Sequence, residues 1–365
     1  MTVKIFVCDV LAGLDLLGDE SVHCVVTSPP YWGLRDYGTA RWEGGDATCD
    51  HRSPTMREGR NEDRPRLAGS SATNHDQLIN MAKAGVCGKC GAVRHDEQIG
   101  LEPTLGEHIA KMVEVFREVR RVLRKDGTLW LNYGDCYATS PNGRSAAATK
   151  AAGNDDRTFR DKPFSTIGGV LKAKDLCMVP NRLAIALQED GWWVRSEIIW
   201  HKSNPMPESI KDRPGSSHEK IWLLSRSERY FYDAESVKEP VATATKERLV
   251  QNVAAQEGSA RQPGKTNGTM KAVGDGKTRN LRNVWTISPK GFKGAHFATF
   301  PPALIEPCIK AGCPIGGTVL DPFGGAGTTA VVAESLGRDS ILIELNPAYA
   351  ELTRERLRGG RVFSG

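Results

Sequence analysis

Apolar positions cut this chain into short buried runs and longer amphipathic stretches. Val22 to Val26 is an apolar run of strand length, and Thr318-Val319-Leu320-Asp321 is another. Lys4 to Val7, Thr128 to Asn132 and Ser340 to Leu345 read in the same way. Thr104 to Leu123 carries the clearest helical period. Ile109, Met112, Val113, Phe116, Val119 and Leu123 form one stripe, and Lys111, Glu114, Arg117 and Arg121 fall outside it. Thr104 and Glu107 fit a capping box at its start. Further helices are expected over Val10 to Leu17, Pro180 to Asp190, Pro302 to Lys310, Ala330 to Leu336 and Pro347 to Leu357. Trp192 to Trp200 reads as a long strand. Ile221 to Ser225 and Tyr230 to Tyr232 read as the two short strands of a hairpin. Helices alternating with buried strands predict an α/β sheet.

Three stretches have no period: 33–100, 140–174 and 239–293. The first is rich in Gly, Arg, Asp, Asn and Ser, which is loop composition. A loop this long inside a compact domain needs something else to order it. Cys49, His51, Cys87 and Cys90 supply three sulfurs and one imidazole, with His95 as a rival fourth ligand. Cys-x-x-Cys is a common half-site for tetrahedral zinc, since two thiolates reach one ion across a tight turn. Four protein ligands leave no open position, so such a zinc would be structural. The Cys-x-His half is tighter than usual, and 35 residues separate His51 from Cys87. The last stretch is basic. From Arg261 to Lys293 there are eight Lys or Arg against one acid, Asp275. Glycines between them suggest mobility, and such an insert suits DNA phosphates. Arg261, Lys265, Lys271, Lys277 and Arg279 are candidates as a group; a solvated surface loop is the plainer alternative.

Composition narrows the class. The 365 residues suffice for a full core, and the makeup is that of a soluble globular protein. Asp9 and Asp15 interrupt the apolar N-terminus, so no export signal is read, and no run is long enough to span a bilayer. Nine cysteines without such a signal fit a reducing, cytoplasmic compartment. The net charge of +5 is too small to prove a nucleic-acid partner by itself.

Two turns carry the chemistry. Thr27-Ser28-Pro29-Pro30-Tyr31-Trp32 follows the Val22 strand. Consecutive prolines stop ladder and helix alike and fix the backbone in an extended turn. A rigid carbonyl, a hydroxyl and an aromatic face there suit a planar amine, such as the exocyclic amino group of a nucleobase. The plain alternative is a strand cap with its aromatics in the core. The second turn is Pro322-Phe323-Gly324-Gly325-Ala326-Gly327-Thr328-Thr329, between a strand ending at Asp321 and a helix. Glycines let a ligand approach the backbone at a helix N-terminus. Glu344 ends the next strand, twenty-three residues after Asp321, a distance that suits the ribose hydroxyls of a nucleoside cofactor.

Together the two turns resemble the motifs of the amino-methylating DNA methyltransferases, which use S-adenosylmethionine. Asp321-Pro322-Phe323 with the following glycines matches their cofactor motif, and Ser28-Pro29-Pro30-Tyr31 their catalytic motif. The catalytic motif comes first here, as in the circularly permuted beta group of that family. The resemblance implies a Rossmann-like α/β methyltransferase sheet, with one catalytic domain over 1–365; it does not extend to the inserts, which the residues themselves give as a zinc-clipped stretch at 40–100 and a basic stretch at 240–293. It places Asp9 on the adenine amino group of the cofactor and Phe300 and Pro301 beside its methionine end. Asp321, Phe323, Gly324, Gly325, Gly327, Thr328 and Glu344 complete that site. Asp135 and Tyr137 shape the target-base pocket in this reading, with a plain strand-end turn as the alternative. The Pro29 carbonyl and Ser28 hydroxyl would accept the two amine hydrogens, with Tyr31 stacked on a base taken out of the duplex. Proximity would supply much of the rate, with no covalent enzyme intermediate.

In that family Ser-Pro-Pro-Tyr goes more often with N4 of cytosine than with N6 of adenine, which is the close alternative. Double-stranded DNA is the implied partner, and monomer and homodimer both stay open. A carbon-methylating enzyme needs a cysteine nucleophile; the catalytic turn has none, and Cys308 reads as core. Two rivals remain from other classes: a methylase of RNA or a small molecule, and a zinc-stabilised DNA-binding protein with an inactive core.

Overall fold

The computed structural model describes residues 1–34, 39–49, 86–87, 89–96, 98–139, 165–241, 277–289 and 300–359. In chain order the strands and helices are β1 (Val3–Val7), α1 (Val10–Asp15), β2 (Val22–Thr27), β3 (Arg41–Glu43), β4 (Val93–His95), α2 (Leu105–Val122), β5 (Leu123–Tyr133), α3 (Val179–Glu189), β6 (Trp193–His201) and β7 (His218–Ser225). They continue with β8 (Glu239–Pro240), β9 (Thr278–Arg279), β10 (Val284–Thr286), α4 (Pro302–Gly312), β11 (Thr318–Asp321), α5 (Thr328–Ser335), β12 (Asp339–Glu344) and α6 (Pro347–Arg358).

Eight strands form one sheet in the order β1-β12-β11-β2-β5-β7-β6-β10. The first five are parallel neighbours, and β7 alone runs antiparallel, to β5 on one side and β6 on the other. Side chains on β5 alternate as a strand requires. Leu129, Leu131 and Tyr133 enter one core with Met112, Phe116 and Val119 of α2 and Leu183 and Leu187 of α3. Trp130 enters the other, with Ile305, Cys308 and Ile309 of α4 and Val332 of α5. The sheet is thus covered on both faces, and the α/β expectation holds. The capping box of Thr104 and Glu107 forms as expected.

Two boundaries differ from the sequence reading. First, α2 passes straight into β5 at Leu123, with no turn spent on Lys125-Asp126-Gly127. Gly127 makes this feasible, because a Cβ there would lie 2.5 Å from Leu123 Cδ1 and 2.9 Å from the His23 carbonyl. Second, Tyr230 to Tyr232 is not a strand; β7 pairs with β6 instead. The segment after β7 satisfies the first residues of β5. Arg226 and Ser227 donate to the carbonyls of Leu123 and Lys125, and the Phe231 N–H donates to that of Asp126. The Phe231 N–H spent there is lost to a hairpin ladder.

Candidate active site

Neighbouring parallel strands bring the two turns together. β2 and β11 are hydrogen-bonded with Cys24 opposite Val319 and Val25 opposite Leu320, so Thr27 and Asp321 leave the sheet side by side. Thr27 Oγ1 donates to Asp321 Oδ1 at 2.6 Å, and Thr329 Oγ1 donates to Asp321 Oδ2 at 2.6 Å. The Phe323 N–H adds a third bond to Oδ1 at 3.1 Å. Asp321 is 1 % exposed. Burial pushes its carboxyl up to about 6, against the downward pull of those three donors. One carboxylate therefore ties the proline turn to the glycine turn.

Glu344 repeats this device one strand over. It accepts from the Gly325 N–H at 2.7 Å and the Asn346 N–H at 2.8 Å. Burial holds its carboxyl above the usual carboxylate range. Both acids border an open cleft of ≈ 880 Å³. Asp9, Phe300, Phe323, Gly324, Gly325 and Thr328 border that cleft, and Ser28 and Pro30 form its far wall. Asp9 also caps α1, accepting from the N–H groups of Leu11 and Ala12. Gly327 and Pro301 stand just outside the lining. Gly327 has φ +72°, and a Cβ there would meet Thr353 Cγ2 at 2.3 Å, so it serves close packing of α5 on α6. Pro301 begins α4.

The proline turn is held from behind. Tyr31 stacks on Tyr133 with ring centroids 4.8 Å apart, and its hydroxyl donates to Glu219 Oε2 at 2.9 Å. Ser28 Oγ lies 3.4 Å from that hydroxyl. Trp32 is core, 2 % exposed, with its indole N–H on the Glu102 carbonyl. Asp135 accepts from the N–H groups of Cys136 and Val179, as a strand-end cap would. Tyr137 lies under the Arg213 guanidinium, 3.6 Å from its ring centroid. Cys308 is buried at 1 % exposure, and burial raises its thiol well above the ordinary value, as a core cysteine requires.

Beside the cleft, β3 and β4 form a small antiparallel ribbon. The sulfurs of Cys49, Cys87 and Cys90 all lie within 4.8 Å of one another, with Cys49 and Cys87 3.8 Å apart. His51 lies outside the described residues. His95, the rival ligand, sits on β4 with Nε2 2.9 Å from Glu43 Oε2. This ribbon leads into residues that sequence reasoning missed: Thr39, Gln98 and Ile99 line the cleft. No local motif marks them, since the fold returns them from either side of the insert. Cys8, Asn346 and Tyr349 were missed too. Asn346 had a signal, an N-cap before Pro347 two residues after Glu344.

Of the expected basic group, Arg261, Lys265 and Lys271 lie outside the described residues. Arg279 is half-buried; its guanidinium pairs with Glu239 at 3.0 Å, beside Arg282 at 3.3 Å.

A doubly covered parallel sheet with a glycine-rich turn, an acidic strand end and a proline-locked turn on one edge defines an α/β group-transfer enzyme with a nucleoside-type cofactor cleft. The description of the DNA methylase family matches residues 22–355, and the chain belongs to that family. It is a DNA methyltransferase. It is 38% identical over 355 residues to the Type II methyltransferase M.XycI of Xanthomonas campestris pv. cyanopsidis, covering 97% of this chain and 87% of that one. It is also 38% identical to the Type II methyltransferase M.SmaI of Serratia marcescens, covering 97% and 90%. Among solved structures the PvuII DNA methyltransferase (cytosine-N4-specific) superposes with a TM-score of 0.56 at 16% identity, covering 99% of this chain and 88% of that one. Among the described residues no helix is long and apolar enough to cross a membrane.

Proposed function

We propose that the chain methylates the exocyclic N4 of cytosine in double-stranded DNA, with S-adenosylmethionine as donor. The observation that carries this reading is the Thr27–Asp321 bond, which fixes the proline turn against the cofactor cleft. The cleft's donor set fits the cofactor. Glu344 can accept ribose hydroxyls, Asp9 an adenine amine, and Phe300 and Phe323 offer apolar walls. When bound, the cofactor supplies an electrophilic methyl group. The protein supplies the rest. An exocyclic amine is a poor nucleophile because its lone pair is conjugated into the ring. Ser28 Oγ and the Pro29 carbonyl accept its two hydrogens and draw the nitrogen toward tetrahedral geometry, which frees the lone pair. The rigid turn then holds it in line with the methyl group. Tyr31 gives one ring face to Tyr133, so only its other face serves a flipped base.

Serine at the head of the turn favours cytosine over adenine, and the PvuII enzyme that shares the fold is a cytosine-N4 enzyme by its name. The deciding experiment is mass spectrometry of nucleosides from unmethylated DNA incubated with protein and S-adenosylmethionine. N4-methylcytosine is the expected product. N6-methyladenine would keep the fold and the turn chemistry and overturn the role given to serine.

Cys49, Cys87 and Cys90 fit a structural zinc, with His51 as the fourth ligand from the sequence. Three sulfurs this close are the donor set such an ion takes. The insert would then support the Thr39 and Gln98 wall of the cleft. Elemental analysis of purified protein should give about one zinc per chain. The basic stretch 240–293 is assigned to DNA phosphates through its residues other than the paired Arg279.

A further inference from the structure

Methylation of an amine leaves a proton to dispose of. The proposed reading accounts for the lone pair and the methyl group but gives that proton no destination. Ser28 Oγ is well placed to take it, yet a serine hydroxyl holds a second proton only if it passes its own onward.

An acceptor chain stands behind Ser28. Its Oγ lies 3.4 Å from Tyr31 Oη, and Tyr31 Oη donates to Glu219 Oε2 at 2.9 Å. Glu219 comes from β7, the single reversed strand, which places it beside the catalytic turn. Its other oxygen, Oε1, pairs with Lys202 Nζ at the end of β6. Lys202 in turn lies over the Trp200 ring, 4.7 Å from the centroid. Asn132 Nδ2 on β5 steadies Oε2 at 3.3 Å. The Glu219 side chain is 16% exposed and that of Lys202 23%, so this carboxylate is not an incidental surface charge.

The division of labour within Glu219 is informative. Lys202 alone would satisfy a structural carboxylate, and it occupies only one oxygen. The second oxygen points at the hydroxyl that faces the catalytic serine. Nor does Tyr31 need that hydroxyl for its position, because the ring is held by stacking on Tyr133. Burial, and then Glu219 itself, push the Tyr31 phenol well above its usual value. It therefore remains protonated, and it can give up a proton only as it receives one.

We infer that Ser28, Tyr31 and Glu219 form a proton relay, with Glu219 as the terminal base of methyl transfer. The inference rests on the amine reading above. In the step, the amine nitrogen forms a bond to the methyl carbon while the carbon–sulfur bond breaks, its electron pair staying on sulfur. The methylated nitrogen now carries one proton too many and is strongly acidic. Ser28 Oγ takes that proton and passes its own to Tyr31 Oη, and Tyr31 passes its own to Glu219 Oε2. The carboxylate ends protonated, the two hydroxyls end as they began, and charge is conserved. Lys202 pairs with the other carboxylate oxygen, Oε1, and leaves Oε2 to accept, and a carboxylate is basic enough for so acidic a donor. Ser28 and Tyr31 touch the reacting amine directly or through one hydroxyl; Glu219 acts through Tyr31 and is a positioning and proton-accepting residue.

The test is single-turnover methyl transfer to DNA by the full chain, with affinities for S-adenosylmethionine and for DNA measured alongside. Tyr31→Phe removes one oxygen and keeps the stacking; Glu219→Gln removes the acceptor and keeps the shape. Each should slow transfer about 100-fold or more, the usual worth of general acid–base help. Both affinities should stay within about threefold, and Glu219→Asp should recover part of the rate. A merely structural Glu219 would weaken binding together with rate. A wild-type rate in either variant overturns the relay, as does a rate loss matched by lost binding. Should Glu219→Gln unfold by leaving Lys202 unpaired, Tyr31→Phe decides alone. If wild-type protein transfers no methyl group to any base of DNA, the amine reading itself fails, and that outcome is distinct from a slow variant of an active enzyme.

Discussion

The two halves of the sheet serve the site in different ways. In the parallel half, β12, β11 and β2 end in turns whose backbone and first side chains make the cleft: Glu344, the glycine turn after Asp321, and Ser28 with Pro30. In the antiparallel half, Glu219 from the start of β7 and Lys202 from just past the end of β6 meet behind the hydroxyl of Tyr31. The first half works by turn chemistry and the second by strand register. The same difference decides what each half tolerates. A turn fails when its backbone shifts, whereas a side chain delivered by register fails only when its own functional group is lost.

The sharpest way to break the parallel half is at its one shared carboxylate. Asp321→Ala strands the donors of Thr27, Thr329 and Phe323 in the interior. Each buried unsatisfied group costs roughly 1–3 kcal/mol, so loss of stability on the order of several kcal/mol is expected. Cofactor affinity should fall by at least about 100-fold on calorimetry, since 1.4 kcal/mol is a factor of about ten. Unchanged affinity would contradict the clamp. Asp321 also has a pH signature. Its folded value of about 6 stands above the ordinary 3.8, so the folded state holds the proton more tightly. Stability is therefore greatest below the unfolded value and declines as pH rises to about 6, then levels off. The full change is about 3 kcal/mol at 1.36 kcal/mol per pH unit. Asp321→Asn should remove that share of the slope in urea melts taken between pH 4 and pH 7. An identical slope in the variant would mean that the carboxyl is not the group responsible.

Next in size are changes within the catalytic turn. Pro29→Ala lets the backbone relax and moves the carbonyl that accepts the amine hydrogen. Tyr31→Ala removes the stack on Tyr133. Either should abolish methylation, a loss of about 1000-fold or more, with cofactor affinity almost intact. Equal activity in either variant would sink the assignment of the turn. If Tyr31→Ala loses far more than Tyr31→Phe, the excess measures what ring stacking adds to the hydroxyl.

Legibility in the sequence followed the same line between the two halves. Turn chemistry is local: two prolines, spaced glycines and an acid at a strand end are visible in any reading, and they led to Ser28, Asp321 and Glu344. Register is not local. Glu219 lies in a strand that looks like any half-buried strand, and nothing nearby says that β7 reverses to meet Tyr31. The mistaken strand at Tyr230 to Tyr232 has the same cause, since the choice of β6 as the partner of β7 is made across the sheet. The wall of Thr39, Gln98 and Ile99 was hidden for another reason: the residues meet only because the ribbon of β3 and β4 brings them back.

That ribbon offers a milder perturbation. Cys87→Ser should lose the zinc, seen as loss of metal by elemental analysis and a lower melting temperature. Because the ribbon supports one wall of the cleft and not its floor, cofactor affinity should weaken by only about tenfold, roughly 1.4 kcal/mol. A protein that binds no zinc before or after substitution would leave the three sulfurs as a packed thiol cluster and refute the metal reading. A loss as deep as that of Asp321→Ala would show that the insert is part of the cofactor floor.

The smallest effect is expected at Arg279, and it separates structural from DNA-binding charge. Its guanidinium is paired with Glu239, which also accepts from the Arg282 backbone N–H at 3.0 Å, so the charge is spent on joining β8 to β9. Burial raises the Glu239 carboxyl and is outweighed by those partners, which leave it below the usual carboxylate range. A partly exposed pair of this kind is worth at most about 1 kcal/mol. Arg279→Ala should therefore leave DNA affinity within about twofold at every salt concentration. A true phosphate contact behaves otherwise: its loss weakens binding to all sequences alike and flattens the slope of log affinity against log salt by about one. If Arg279→Ala flattens that slope, DNA takes Arg279 away from Glu239, and the pair holds the strands only until the duplex arrives. Glu239→Gln then discriminates further, since freeing both guanidiniums should tighten DNA binding in that case and leave it unchanged if the pair is structural.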